Sequence, residues 1–240
     1  NVPNPKCLDK LLVHYKKLID ENENKFIAVQ ARRPQFISHQ RLFSMTNPEK
    51  FYKSKNSFLD FTLDKLFNKA KFVLKGREIE CEKEYDYVKA PYTQYGGLLF
   101  PSKSIQQIGY PNSEFYLYVD DTEFTYRITK KGGKIFIIRN AIVLDVDYSW
   151  NYTSNVIKKI FFPILEQGND FRVYYSTRNS VYFESEYNIS NNSIYILNKC
   201  IYLILLFFAS LYLNKGKRLK LIIKAIKDGD NKILGKTNHP

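Results

Sequence analysis

At 240 residues, with 44% hydrophobic side chains, the chain is long enough to bury the core of one domain or one and a half. Its three cysteines and three histidines are scattered, which argues against a disulfide framework, a histidine-based metal site and a Ser-His-Asp triad. The formal net charge of +13 is compatible with nucleic acid, an anionic membrane surface or phosphate-bearing substrates. No nucleic-acid-binding module is recognisable, so we expect no nucleic-acid partner.

The N-terminal part predicts a helix, a strand and a loop-rich segment. Apolar residues from Leu8 to Ile19 recur every three or four positions, which predicts an amphipathic helix that ends near residues 22–24. Residues 26–31 predict a short strand. Residues 34–70 predict loops and short helices, including one helix face over 58–67, and His39 among them is expected to be a surface or partly packed histidine.

A glycine pair follows in the sequence YVKAPYTQYGGLLFP. Gly96 and Gly97 permit either a tight turn, such as a bulge or bend, or a close approach of the main chain to a ligand. Residues 102–108 then predict a short helix that Ser102 caps and Gly109 ends.

The segment EFYLYVDDTEFTYRITKKGGKIFIIRNAIVL, residues 114–144, carries the clearest pattern. The apolar run 115–119 predicts a buried strand, and 122–131 predicts a helix ended by a glycine pair. Residues 135–144 predict a second strand. A strand, a helix and a strand in this order form a crossover unit, which joins parallel strands of an α/β sheet.

Asp120 and Asp121 follow the first predicted strand, and ligands of open α/β sheets bind beyond the carboxyl ends of strands. Two adjacent carboxylates repel each other, which favours proton uptake by one of them and suits a general base. From spacing alone, the favoured interpretation is that one aspartate caps the helix at Thr122. A cap and a base are compatible, because adjacent residues can divide the two roles.

Further candidate residues follow the second predicted strand. Asp145 and Asp147 would lie on the same side of that strand if it continues, and Trp150 is the only tryptophan. The sequence DFRVYYSTRNSVYF, residues 170–183, predicts a helix that packs its aromatic side chains on the sheet. Arg178 within it either joins that packing or binds a phosphate group.

Residues 193–213, SIYILNKCIYLILLFFASLYL, are long enough to span a bilayer as a helix. Because Asn198 and Lys199 interrupt the run, we favour a helix that lies in the membrane interface or packs on the protein. The basic residues that follow suit an anionic headgroup layer, although a solvated basic helix end is the alternative. These residues are Lys215, Lys217, Arg218, Lys220, Lys224 and Lys227.

Several motifs occur in a characteristic order: Gly96-Gly97-Leu98-Leu99-Phe100, Ile108-Gly109, Phe115 to Phe124 around the aspartate pair, Arg127, and Gly132-Gly133-Lys134-Ile135. This series resembles family 2 glycosyltransferases, in particular the rhamnosyltransferase-like and galactofuranosyltransferase-like members that build bacterial surface polysaccharides. Tyr174-Tyr175, Arg178-Asn179 and Lys227-Asp228-Gly229 resemble the C-terminal extension of these enzymes.

The resemblance implies an α/β fold: a partial GT-A (Rossmann-like) domain over residues 1–150, its acceptor side, followed by a helical extension over 151–240. It implies inverting transfer from a UDP-sugar or dTDP-sugar to a glycan or polyprenyl-linked acceptor, at the cytoplasmic face of the cell membrane. Asp121 would be the base that deprotonates the acceptor hydroxyl, and Asp120 a supporting carboxylate. The expected substrate-binding residues are Gly96, Gly97, Arg127, Trp150 and Arg178.

The resemblance also implies a divalent cation, Mg²⁺ or Mn²⁺, which would stabilise the charge on the leaving phosphates. Asp145 or Asp147 stands where the family often places a metal-ligating histidine, and both metals accept carboxylate oxygens. The family's nucleotide-binding half is not recognisable, and Asn1-Val2-Pro3 resembles the residues that follow its Asp-x-Asp motif, so we expect a truncated enzyme that can be inactive alone. The alternatives are a non-catalytic glycan-binding or partner-binding remnant and a basic peripheral membrane protein.

Overall fold

The computed structural model describes residues 1–23, 26–45, 47–52, 54–66, 85–146 and 162–237. The chain divides into two compact units, and each is discontinuous in sequence. The first unit comprises Asn1–Tyr52, Ile79–Asn112 and Asp121–Thr153, and the second comprises Lys53–Glu78, Ser113–Asp120 and Ser154–Pro240. Two segments of the second unit, Lys53–Glu78 and Ser113–Asp120, therefore precede the boundary at residue 150 that the resemblance implies.

The first unit is built on a mixed sheet. Its elements are β1 (Val2–Pro3), α1 (Cys7–Glu21), β2 (Ile27–Arg32), α2 (Ile37–Ser44), a 3-10 turn (Pro48–Phe51), β3 (Tyr87–Ala90), β4 (Leu98–Leu99), α3 (Ser104–Ile108), α4 (Asp120–Lys130) and β5 (Lys134–Leu144). The strand order is β1-β5-β2-β4, and β3 also pairs with β5. β5 runs parallel to β2 and antiparallel to β1 and β3.

Both faces of this sheet are covered, which explains why β2 and β5 are almost continuously apolar. Successive residues of a strand point to opposite faces. Thus Ile135 and Ile137 join the core formed with α2, α3 and α4, whereas Phe136 and Ile138 join the core formed with α1. The predicted α/β class is confirmed for this unit.

The predicted helix and strand at the N-terminus are confirmed by α1 and β2, and the later pair is confirmed by α4 and β5. Gly132, with φ of 84°, lies directly after α4, as expected for the residue that ends a helix. The short helix predicted over 102–108 is α3, which begins at Ser104 and has no side-chain cap.

The strand predicted over residues 115–119 is wrong. Ser113–Phe115 forms a 3-10 turn, and 116–119 forms a bend in which Tyr116, Tyr118 and Val119 have φ of 61°, 65° and 67°. A β-strand requires negative φ at every residue, so the predicted crossover from this strand through α4 does not form.

Three helices dominate the second unit: α5 (Asp170–Tyr187), α6 (Asn192–Tyr212) and α7 (Gly216–Asp230). They follow a 3-10 turn at Pro163–Leu165. Asn169 and Asn191 cap α5 and α6, because each side chain accepts a hydrogen bond from a main-chain N–H in the first helical turn. The helix predicted over 170–183 is confirmed, and so is the helical state of the long apolar run.

The chain reverses direction at residues 58–61 within this unit. Phe58 and Phe61 pair across a turn whose central residues, Leu59 and Asp60, have φ of 47° and 64°. Positive φ at both central residues defines a type I′ turn. The helix face predicted over 58–67 is therefore wrong at its start, and in the described part of this range only 63–66 is helical.

Candidate active site

The acidic pair opens helix α4. Asp120 is its first residue, and both aspartates are partly exposed. Asp121 Oδ1 accepts a hydrogen bond from the main-chain N–H of Thr122 at 2.7 Å. Thr125 Oγ1 donates to the main-chain oxygen of Asp121 at 2.7 Å and contacts that of Thr93 at 2.8 Å. The second carboxylate is therefore oriented by its own helix, whose first turn is tied to the neighbouring loop.

Asp120 differs from Asp121 in its surroundings. Its side chain makes no hydrogen bond or ion pair with any residue that the structure describes. Negative charge at a helix N-terminus is favourable because main-chain N–H groups point toward it. The pair thus combines one fixed carboxylate with one that is available to a ligand.

The bend before the pair is strained. Tyr116, Tyr118 and Val119 all lie in the left-handed region of φ. A β-branched residue such as valine rarely adopts this conformation, and each such residue costs on the order of 1–3 kcal/mol. Strained main chain persists only where its surroundings fix it, so the residues that hold this bend matter for the geometry of the pair.

Asn179 of α5 holds the bend. Its side-chain amide is fully buried, and Nδ2 donates to the main-chain oxygens of Phe115 at 3.0 Å, Leu117 at 2.6 Å and Tyr118 at 2.9 Å. An amide nitrogen carries two hydrogens, so the three acceptors share them. In a β-strand these three carbonyl groups would bond to a neighbouring strand. Here the side chain of Asn179 donates hydrogen bonds to all three.

Arg178 completes this clamp from the next position. Its Nε donates to Asn179 Oδ1 at 2.9 Å, which fixes the amide so that Nδ2 faces the bend. Its Nη2 donates to the oxygen of Phe115 at 3.2 Å and its Nη1 to that of Gly235 at 2.6 Å. The guanidinium lies 4.7 Å from the centre of the Tyr175 ring. Because Arg178 is 1% exposed, these contacts favour the packing role over the phosphate-binding role.

Gly96 and Gly97 form a tight turn in the first unit. Gly97 has φ of 83°, and a Cβ atom there would lie 2.9 Å from Ala31 Cβ and 3.0 Å from a Val143 methyl group. The oxygen of Gly97 accepts from Ala31 N at 2.9 Å, and that of Gly96 accepts from Gln30 Nε2 at 2.5 Å. Close packing against β2 and β5 therefore accounts for Gly97, whereas a Cβ atom at Gly96 would lie 2.7 Å from Asn1 Nδ2.

Arg127 is held by its own neighbourhood. Its guanidinium pairs with Glu123 at 3.1 Å, donates to the oxygen of Tyr110 at 2.9 Å and also donates to that of Ile108. These bonds tie α4 to the residues that follow α3. The side chain is 20% exposed, so a ligand would meet only part of it.

Asp145 forms a largely buried ion pair with Arg33, at 2.5 Å between Oδ1 and Nη2. Its Oδ2 is buried without a hydrogen-bond partner, so this carboxylate offers one oxygen to a hard cation. No group of three or more His, Cys, Asp or Glu residues able to hold a metal occurs in the part of the chain that the structure describes. Asp147 and Trp150 lie outside the described residues.

His39 is a core residue. It is 2% exposed, and its Nδ1 accepts from the main-chain N–H of Arg33 at 3.0 Å. Burial, followed by the nearby charge of Arg33, lowers the pKa of His39 to about 4. The expectation of a surface or partly packed histidine is therefore wrong, since this neutral imidazole supports the main chain beside Arg33.

No family model, curated protein or solved structure matches the chain. Sequence reasoning identified the acidic pair but assigned no role to Asn179. Its one signal in the sequence is an Arg-Asn pair inside an aromatic helix, because a polar side chain that is buried there needs hydrogen-bond partners.

Proposed function

We propose that the chain carries the acceptor-side part of an inverting glycosyltransferase with a GT-A fold. The single observation that carries this proposal is the Asp120–Asp121 pair at the start of α4, directly after a strained bend that Asn179 holds. Such strain clusters at functional sites, where buried side chains keep reactive groups in a fixed geometry. The ordered motifs that resemble family 2 glycosyltransferases support the same function.

In this proposal Asp121 is the general base. Its carboxylate, oriented by Thr122, takes the proton of the acceptor hydroxyl. The acceptor oxygen then forms a bond to the anomeric carbon of the donor sugar, while the bond from that carbon to the diphosphate oxygen breaks and the configuration inverts. A positioned base typically contributes a factor of about 10² to 10⁴ to the rate. Asp120 is a supporting carboxylate beside the base in this proposal.

A divalent cation, Mg²⁺ or Mn²⁺, supplies stabilisation of the leaving diphosphate when it is bound. Among the residues with described side chains, Asp145 offers Oδ2 for such an ion. Arg33 on the other oxygen fixes the carboxylate in place and reduces its net charge, so further oxygen ligands are needed beside it.

The second candidate is a non-catalytic glycan-binding or partner-binding protein descended from such an enzyme. One observation favours it: Arg127, Arg178 and Asp145 all have partners inside the protein. In this alternative, the hydrogen bond from Thr122 to Asp121 serves only the first turn of α4.

Activity measurements separate the two candidates. The protein expressed from its whole reading frame should release nucleoside diphosphate from one of a panel of UDP-sugars and dTDP-sugars, and only when a glycan or polyprenyl-linked acceptor is present. NMR of the product should show an anomeric configuration opposite to that of the donor. Glycan binding without any nucleoside diphosphate release would support the non-catalytic candidate instead.

A further inference from the structure

Helix α6 has two apolar faces. Its inner face is buried and includes Tyr195, Tyr202 and Leu206. The opposite face is exposed and uncharged, and it consists of Ile196, Leu197, Cys200, Ile204, Phe207, Phe208 and Leu211. We call this face the outer stripe, and it extends over about 22 Å at the rise of an α-helix. A helix on the surface of a soluble protein normally has a polar outer face, and a contiguous exposed apolar patch indicates a binding surface.

The inner face of α6 is fixed to the protein by the polar residues that interrupt the run. Asn198 Oδ1 accepts from the N–H of Leu63 at 3.0 Å, and its Nδ2 donates to the oxygen of Asn56 at 2.9 Å. Lys199 forms an ion pair with Asp230 of α7. Lipid can therefore reach only the outer half of the helix while these contacts persist.

By length and composition, α6 is the one described helix that could cross a membrane. Only 28% of its most apolar stretch is buried, so it is not an ordinary core helix. A spanning orientation would expose the inner face to lipid and break the hydrogen bonds of Asn198, which would leave polar groups unsatisfied in hydrocarbon. An orientation parallel to the membrane surface preserves these bonds and buries the outer stripe.

Positive charge follows directly after the outer stripe. Lys215, Lys217, Lys220 and Lys227 are exposed in or next to α7. Arg218 is not counted with them, because its guanidinium pairs with Asp170 at 2.6 Å. Exposed lysines beside an exposed apolar helix are complementary to anionic headgroups above acyl chains.

We propose that α6 lies in the interface of an anionic membrane, with the outer stripe among the upper acyl chains and the lysines of α7 at the headgroups. The occupant of the stripe is thus a lipid surface. The outer stripe and the exposed lysines include no residue of the acidic pair, so this proposal and the proposed function can fail separately.

Flotation with vesicles tests the proposal on the full chain. The wild-type protein should float with vesicles of phosphatidylcholine and phosphatidylserine. Replacing Ile204, Phe208 and Leu211 by glutamine should reduce the partition coefficient more than tenfold, because each loses buried apolar area. Replacing Lys217, Lys220 and Lys227 by glutamine should reduce it about a hundredfold at low salt, and this difference should shrink at 1 M salt.

A matched control uses exposed apolar residues far from α6 in sequence. Leu8 and Val13 are 59% and 65% exposed, so Leu8→Gln with Val13→Gln should float like the wild type. Circular dichroism and thermal unfolding of each variant confirm that the fold is kept. Wild-type protein that stays in the soluble fraction with anionic vesicles would overturn the proposal. So would a stable dimer that the apolar variant dissociates, since the stripe would then be a protein interface.

Labelling gives a test that needs no amino-acid substitution in the outer stripe. Cys200 is exposed on the stripe and Cys7 is buried, so a fluorophore can be attached to Cys200 in a Cys81→Ser background. Anionic vesicles should shift its emission to the blue, and shallow bromine-labelled lipids should quench it more strongly than deep ones. Stronger quenching by the deep label would contradict the interfacial orientation and indicate a spanning helix. An unchanged spectrum would contradict any membrane contact.

Discussion

At the residue scale, Asn179 links a buried helix to the candidate site. One amide satisfies three main-chain oxygens of the bend, and Arg178 fixes the orientation of that amide. A buried acceptor left without a donor costs about 1–3 kcal/mol, so this clamp stabilises a conformation that the bend would not adopt alone. Asp120 and Asp121 follow this bend directly in the sequence.

The first prediction concerns Asn179→Leu, which keeps the volume of the side chain but removes its donors. The variant should lose about 2–4 kcal/mol of unfolding free energy in urea denaturation, because carbonyl groups of the bend become unsatisfied. If the proposed function holds, kcat of the folded fraction should also fall while the donor KM changes little.

Asn188→Leu is the matched control for that experiment. Asn188 Nδ2 donates to Ser54 O at 2.7 Å and to Ser57 Oγ at 3.0 Å, so this variant also removes a buried amide from the second unit. It should lose comparable stability but keep kcat. An equal fall of kcat in both variants would show that Asn179 acts through general stability alone.

The second prediction concerns His39 and pH. The pKa of His39 is about 4 in the folded protein, against about 6.5 for an unperturbed histidine. Below pH 6.5 the unfolded chain binds a proton at His39 that the folded protein does not bind, so lower pH favours the unfolded state. The contribution of His39 to the unfolding free energy is therefore full above pH 6.5. It is lost at about 1.4 kcal/mol per pH unit as the pH falls toward 4, and the loss is complete below that value.

His39→Asn removes this titration while keeping an acceptor for the N–H of Arg33. The unfolding free energy of the wild type should therefore fall more steeply than that of the variant between pH 6.5 and 4. Parallel pH profiles for the two proteins would contradict the buried neutral imidazole.

At the element scale, α5 organises the second unit. It carries buried polar side chains at Arg178, Asn179 and Glu184, and each bonds main-chain groups of a segment distant in sequence. Glu184 accepts from the N–H groups of Leu59 at 2.7 Å and Asp60 at 3.2 Å. These bonds hold a type I′ turn whose first central residue is Leu59, where glycine, asparagine or aspartate is usual.

The third prediction concerns Glu184→Ala. Two partly buried N–H groups of the turn lose their acceptor, so the unfolding free energy should fall by about 2–4 kcal/mol in urea denaturation. Glu186→Ala on the same helix is the control. Its ion pair with Lys232 is largely exposed, and its removal should cost less than about 1 kcal/mol. Similar losses in both variants would contradict the role of Glu184 as the acceptor for the turn.

The elements that the sequence predicts correctly are those set by local apolar period, such as α1, β2, α4 and β5. The failure at residues 115–119 has a long-range cause. A Phe-Tyr-Leu-Tyr-Val run has the composition of a strand, but Asn179 and Arg178 bond its carbonyl groups from more than 60 positions away. The acidic pair could be recognised because its two aspartates are adjacent in the sequence. The hydrogen bonds from Arg178 and Asn179 could not be predicted, because no local sequence pattern links α5 to the bend.

At the scale of the whole molecule, the net charge of +13 and the outer stripe of α6 favour the same partner. An acceptor carried on a polyprenyl lipid would lie at the membrane surface where α6 is proposed to bind. Membrane contact would then raise the local concentration of acceptor. Loss of flotation in the outer-stripe variant should accordingly raise the KM for a lipid-linked acceptor but leave the KM for a soluble glycan unchanged.

The central claim is that Asp121 acts as the base of an inverting sugar transfer. The most direct test compares acceptor-dependent nucleoside diphosphate release by wild type, Asp121→Asn and Asp120→Asn, each expressed from the whole reading frame. Asp121→Asn should retain the fold and donor binding while kcat falls by a factor of about 10² or more, because amide nitrogen cannot accept the proton. Asp120→Asn should retain most of the activity. Unchanged turnover in Asp121→Asn, with activity abolished in Asp120→Asn, would contradict the assignment of the base. The absence of turnover in the wild type with every donor would contradict the enzymatic function itself.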